Sequence, residues 1–320
     1  MPAAISHWIL GQRIVNSDCF AEEFPNVNKE AFLWGCQGPD IFFYHRQMPW
    51  QSKDSLSSFG NHLHEFDPVH FFRSLSKICR YCAELKDSDL IFSYALGHCC
   101  HYSYDRKLHP LVYYNTALLE KTDRRGFDYK YHADIEANMD IILLSHEGGK
   151  LIGDINIKDT LPQFPHSDEV IARLYKLMFR DMFGLHPSDF SLYTLAGDFV
   201  LNMGLLDDKY AVKKPLISSV EKLLPNIREG ALSGLIHAKA ADLDFDYGNL
   251  CKNMWFNPSD RSERHTMSLY EITDAAEDDT WEFMRLFAKA VRDRQSENFD
   301  EFIRGINYEG NRVDEDVIKF

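Results

Sequence analysis

The stretch GHCCHYSYDRKLHP, residues 97–110, sets His98, His101, Asp105 and His109 three, four and four positions apart. At helical pitch that spacing puts all four side chains on one face. The run leading into it, DSDLIFSYAL, carries Asp87, Ser88 and Asp89 as candidate caps, and Pro110 is expected to end the helix. Such a stripe is either a polar surface face or a metal site. Zinc takes His, Asp, Glu and Cys. Two ligands four apart are separated by about 6 Å along the axis and can reach one ion. His101 with Asp105, and Asp105 with His109, are such pairs. His132 and Glu136 are a third pair on a separate segment, where a solvated helix pair is the plainer alternative.

The rest of the chain reads mostly helical. Residues 6–15 have helical spacing with Ser6 as N-cap, and 68–85 have Asp67 as cap and Pro68 in the first turn. Residues 130–144 are followed by Gly148 and Gly149 as a stop. Further helices are expected over 167–183, 188–204, 210–223 and 268–304. Residues 46–61 and 242–267 read as irregular, and 150–166, with two prolines, as a connection. Gly35, Gly38 and Pro39 place Asp40 at a turn. The expected class is therefore all-α. Ten of the fourteen histidines precede residue 150. This divides the chain into a metal-binding region, 1–150, and a helical C-terminal region, 151–320.

Composition narrows the chemistry. The net charge is −14, which argues against a nonspecific nucleic-acid binder. An acidic protein that handles anionic substrates needs local positive charge, and bound cations can supply it. No apolar run approaches the roughly 20 residues of a membrane span. The first residues, MPAAISHWILGQ, lack the basic region of a secretory signal. The seven cysteines include a lone Cys79-x-x-Cys82 in a helical pattern and adjacent Cys99 and Cys100. They read as packed, reduced thiols of a cytoplasmic protein.

The segments SHWILG, GCQGPDIFFY, HEFDP, HYSYDRKLHP and YHADIE, in this order, resemble the zinc-dependent phospholipase C family over roughly residues 1–146. That resemblance implies a helical multi-zinc bundle shared with the single-strand-specific nucleases. By motif it assigns His64, His101 and Asp105 to one zinc, with Asp40 at that ion or beside its water as general base. It assigns His109, His132 and Glu136 to a second, and His7 with Asp105 as bridge to a third. Secreted members add an amino-terminal tryptophan to the third ion. Here His7 follows MPAAIS and Trp8 comes after it, so the expected count is two or three ions. Those members also space the aspartate and the next histidine by six rather than four.

The expected activity is phosphoester hydrolysis by metal-activated water. The substrate would be a phospholipid or a soluble phosphoester. A single-strand nuclease and a non-catalytic metal-binding helical protein are the alternatives. His98 reads as a packing residue beside the ligands, and His64 is preferred to His62. His45 and His70 read as loop or surface histidines. His146, His166, His186, His237 and His265 have no partner at ligand spacing. The stretch MWFNPS, 254–259, is either a cover for the site or an ordinary surface loop.

Overall fold

The computed structural model describes residues 4–48, 50–123, 125–224, 227–293 and 299–313. It is mostly helical, as expected. In chain order the helices are α1 (Ala4–Asn16), α2 (Asp18–Glu23), α3 (Lys29–Gly35), α4 (Ser58–Glu65), α5 (Pro68–Tyr81), α6 (Ser88–Thr122) and α7 (Tyr131–Gly148). There follow α8 (Ser167–Phe183), α9 (Asp189–Tyr193), α10 (Leu195–Leu206), α11 (Lys213–Glu221), α12 (Leu269–Asp293) and α13 (Phe299–Ile303). Short 3-10 turns cover Gly38–Phe42 and Ser233–Leu235.

Local signals account for many boundaries. Asn28 caps α3 by accepting from the Ala31 N–H at 2.7 Å, and Asp67 caps α5 by accepting from the Val69 N–H at 2.9 Å. Gly149, at φ 59°, and Gly184, at φ 62°, close α7 and α8 in the left-handed conformation. Other expectations are corrected. Ser6 lies inside α1 and does not cap it. Residues 58–61 belong to α4 rather than to a loop. The expected helix over 188–204 breaks at Thr194, and 242–267 contains an antiparallel hairpin of β1 (Trp255–Asn257) and β2 (Asp260–His265). Of the expected helix over 268–304, residues 294–298 lie outside the described residues.

Pro110 does not end α6, which runs twelve residues past it. An interior proline costs a helix about 3 kcal/mol. The residues beyond it recover this, since Leu111, Val112 and Leu119 are buried and the Asn115 amide donates to the Tyr247 carbonyl at 3.0 Å.

The chain forms two compact units, and neither breaks at residue 150. One comprises Met1–Ile9, Lys107–Thr160 and Met203–Ala275; the other Leu10–Arg106, Leu161–Asn202 and Ala276–Phe320. The stretch 151–320 is thus shared between both.

In the first unit, α7 and α11 both pack on the Ser233–Leu235 turn, around buried Ile135, Met139, Leu143 and Ile236. The buried Asp140 carboxylate accepts from the Ser6 N–H at 2.8 Å, the Ser6 hydroxyl and His237 Nε2 at 2.8 Å. The start of α1 is thereby tied to α7. In the hairpin, Phe256 packs against Tyr114 of α6, ring centroids 5.2 Å apart.

In the second unit, α5 packs on α8 and α13, and α4 on the Gly38–Phe42 turn. The core is aromatic. Phe72 meets Phe283 at 4.5 Å, Phe42 meets Tyr175 at 4.7 Å, and Phe59 meets Phe179 at 4.5 Å between centroids. Full burial of one such ring contributes roughly 1.5–3 kcal/mol. Helices α3 and α6 touch backbone to backbone. A Cβ on Gly35 would lie 2.0 Å from the Tyr94 carbonyl oxygen, and one on Gly97 would lie 2.2 Å from that of Phe32. Only glycine permits that approach. One turn after Gly97 stands His101. All seven cysteines are unbridged, and burial raises the Cys79, Cys82 and Cys99 thiols.

Candidate metal centre

In the second unit the α3–α6 crossing brings His101 against the turn that follows α3. His101 Nδ1 donates to the Cys36 carbonyl at 3.0 Å. Gly38 adopts φ +51°, and a Cβ there would lie 2.3 Å from the His101 ring. Pro39 then starts the short turn that carries Asp40, which is buried. On α4, His64 Nδ1 donates to the Gly60 carbonyl at 2.7 Å. Both imidazoles therefore set an Nδ1 proton against a backbone carbonyl and turn Nε2 inward. This is how ligating histidines are commonly oriented.

Those Nε2 atoms meet two buried carboxylates. His64 Nε2 is 3.1 Å from Asp40 Oδ1 and 3.4 Å from Asp105 Oδ2. His101 Nε2 is 2.9 Å from Asp105 Oδ2. One ligand atom each from Asp40, His64 and His101 falls within 4.8 Å of the others. Burial alone would raise the Asp40 carboxyl and lower the His64 imidazole. The contacts prevail: His64 and His101 hold Asp40 below its usual range, and Asp105 with Asp40 lifts His64 to about 10. Two carboxylates out of water need cationic company, and a cation among the Nε2 atoms would supply it.

The first unit carries the other cluster. His132 and Glu136 stand one turn apart on α7, and His109 projects from α6. Glu136 Oε1 is 3.2 Å from His132 Nε2 and 3.3 Å from His109 Nε2. Glu136 is buried, as is His109, whereas His132 is part-exposed. Burial would raise the Glu136 carboxyl, but the charge of His132 and the hydrogen bonds from both histidines pull it well below its usual range. Its second oxygen, Oε2, is buried with no hydrogen-bond partner among the described residues. A buried carboxylate oxygen left this way beside two imidazoles fits a metal ligand.

The remaining candidates sort by position. His7 is buried on α1 in the first unit, one residue after the Ser6 that Asp140 holds. His98, on the same face of α6 as His101, packs against Phe71 and Tyr94, with Nε2 3.2 Å from the Tyr175 hydroxyl. It lies outside both clusters, as its packing role implies. His62 is exposed while His64 is buried. His45 corrects the surface expectation. It is buried, with Nε2 2.9 Å from the Ser191 carbonyl and Nδ1 accepting from the Leu56 N–H at 2.8 Å.

Two features escaped sequence reasoning. His237 has a partner after all, Asp140, which lies ninety-seven residues away. No spacing rule reaches across that distance. Tyr308 packs its ring, tilted, 5.3 Å from that of His64 and 5.7 Å from that of His101. Its segment is held by the Asn307 amide on the Glu65 carbonyl, 3.2 Å, and the Tyr102 hydroxyl on the Ile306 carbonyl, 2.6 Å. The local sequence, INYEGN, reads only as a turn.

A mostly helical chain with buried imidazole–carboxylate clusters of this geometry has what a helical metal-binding protein needs to hold an ion. The family model described as zinc dependent phospholipase C matches residues 6–189, and the chain belongs to that family. The match covers every residue of both clusters and extends past the motifs that suggested it. No curated protein matches the chain, and no solved structure does. Among the described residues, no helix is long and apolar enough to cross a membrane.

Proposed function

We propose that the protein is a zinc-dependent hydrolase of phosphoric esters with a phospholipid as substrate. The observation that carries this is the pair of carbonyl-anchored imidazoles, His64 and His101, facing the buried carboxylates of Asp40 and Asp105. In this reading Asp40, His64, His101 and Asp105 hold one zinc, and His109, His132 and Glu136 hold another. His7 is the family-motif candidate for a third ion. Zinc, when bound, supplies Lewis acidity toward a phosphoryl oxygen and toward water.

The chain's own residues do the rest. The Gly60 and Cys36 carbonyls fix the tautomers of His64 and His101, so both rings present Nε2 without rearrangement. Asp40, held ionised, accepts the proton that the attacking water gives up, at a carboxylate oxygen. The Gly38–Phe42 turn fixes that carboxylate's position, since its backbone is packed against α4 and the His101 ring. Tyr308 shields the two imidazoles on one side with an apolar ring.

Zinc content and activity test this together. The purified protein is expected to hold about two or three zinc ions per chain. Asp40→Asn is expected to lower turnover by about a hundredfold or more, the range of a positioned general base. Phosphatidylcholine, bis-p-nitrophenyl phosphate and single-stranded DNA separate the readings. Zinc-dependent release of diacylglycerol supports this one. Cleavage of the DNA alone would make the protein a nuclease. Zinc below one ion per chain, unaltered by Asp105→Ala, would sink both enzymatic readings.

A further inference from the structure

Helix α11 is built inside out. Its inward side is polar. Lys214 Nζ donates to Asp134 Oδ1 and to the Ile236 carbonyl, both at 2.8 Å. The buried Glu221 carboxylate accepts from the N–H groups of Gly230, Leu232 and Ser233 and from the Ser233 hydroxyl. These contacts seat the helix on its own unit, on the turn shared with α7. Its outward side is apolar. Val212, Leu216 and Val220, spaced by four, are 60 %, 61 % and 46 % exposed. Tyr210 before the helix and Leu223 after it are 84 % and 81 % exposed. A helix held by polar bonds has no need of an apolar stripe in water, and such a patch marks a docking surface.

The charge around the stripe says what docks. The chain carries −14 overall, yet among the described residues between 209 and 228 the exposed charges are Lys209, Lys213, Lys222 and Arg228, all cationic, with the part-exposed acids Asp207 and Glu229 only at the two edges. The acid in that stretch, Glu221, is buried and spent on the hydrogen bonds above. Apolar side chains flanked by lysines, on a helix too short to span, match an interfacial helix on an anionic lipid surface. A symmetric contact with a second copy would set these four cations against themselves, with only the edge acids Asp207 and Glu229 to pair with them. We propose that α11 and its described flanks, residues 209–224 with Arg228, dock the protein on a phospholipid surface bearing anionic headgroups. The choice of a lipid as occupant rests on the proposed phospholipid hydrolysis. The stripe itself lies outside residues 6–189, the family match.

Flotation with vesicles, on ice, tests the docking without requiring turnover. Full-length protein is expected to float with vesicles of phosphatidylcholine and phosphatidylserine, less with pure phosphatidylcholine, and less as salt rises. Leu216→Asp with Leu223→Asp is expected to abolish flotation. Lys209→Gln with Lys222→Gln is expected to weaken it about thirtyfold. All four side chains are exposed, so thermal unfolding, zinc content and hydrolysis of bis-p-nitrophenyl phosphate are expected to stay as in the unaltered protein. Absence of flotation, or flotation that neither pair of substitutions changes, would overturn the proposal. So would binding indifferent to phosphatidylserine and salt. A concentration-dependent dimer lost in the Leu216/Leu223 variant, without vesicle binding, would assign the stripe to a second copy instead. Flotation by a protein without hydrolase activity would leave docking standing and remove only the catalytic reading.

Discussion

Gly38 concentrates the demands of the site on one position. Its φ is +51°, and an added Cβ would sit 2.3 Å from the His101 ring. The residue both turns the chain into Asp40 and vacates the space that His101 needs. Gly38→Ala is expected to cost about 1–3 kcal/mol, from backbone strain and from displacement of the ring. Zinc affinity should fall with it, since His101 cannot move without losing either Cys36 or Asp105. Denaturant titration and zinc content of the variant check this. Alanine tolerated at wild-type stability would mean that the turn relaxes freely. From the sequence, Gly38 was legible as a turn residue, but the ring beside it was not, because sixty-three positions separate the two.

At the level of elements, most helices were legible from spacing and caps. Asp67, Pro68 and Gly149 each act where expected. The errors share a cause. Pro110 reads as a stop because local backbone chemistry says so, and burial of Leu111 and Val112 overrides it. Ser6 reads as a cap because it precedes an apolar run. Its hydroxyl instead serves Asp140 on α7, together with its own N–H. That contact links two elements and makes its own prediction. Asp140→Ala leaves the buried His237 Nε2 and the Ser6 N–H without their acceptor. It is expected to cost about 3 kcal/mol or more. Amide exchange should rise in residues 4–9, the part of α1 that carries His7, before it rises in α7. Unchanged protection of that turn would show that the clamp does not hold it.

Across the whole molecule, acid stability follows from histidines that metal chemistry does not involve. Burial pushes the His45 imidazole below its ordinary 6.5 despite the Ser191 carbonyl beside it, and it pushes His98 well below. Both bind a proton less readily in the folded protein than in the unfolded chain. Unfolding frees them to bind protons near 6.5, so the unfolded chain gains protons as pH falls. Their contribution is full above about 6.5 and is lost progressively below it. The melting temperature is expected to drop between about pH 7 and about pH 5, and His45→Gln to flatten that slope even though it removes hydrogen bonds. Comparing the two proteins isolates the histidine, because any metal loss in acid affects both. An unaltered slope would place the acid sensitivity elsewhere.

The sequence by itself determined the helical class, the family, and the short-range pairs His101–Asp105 and His132–Glu136, because four residues make one turn whatever surrounds them. It also separated His64 from His62. Only the tertiary structure decided what those pairs meet. The α3–α6 contact through Gly35 and Gly97 brings Asp40 to His64 and His101, and α6 and α7 bring His109 to Glu136. It also decided that residues 151–320 are divided between both compact units, that Tyr308 packs on two imidazoles from near the end of the chain, and that α11 turns its apolar stripe outward. Helical periodicity specifies a face but not its direction. Here Lys214 and Glu221 found buried partners, and the apolar face was left to water.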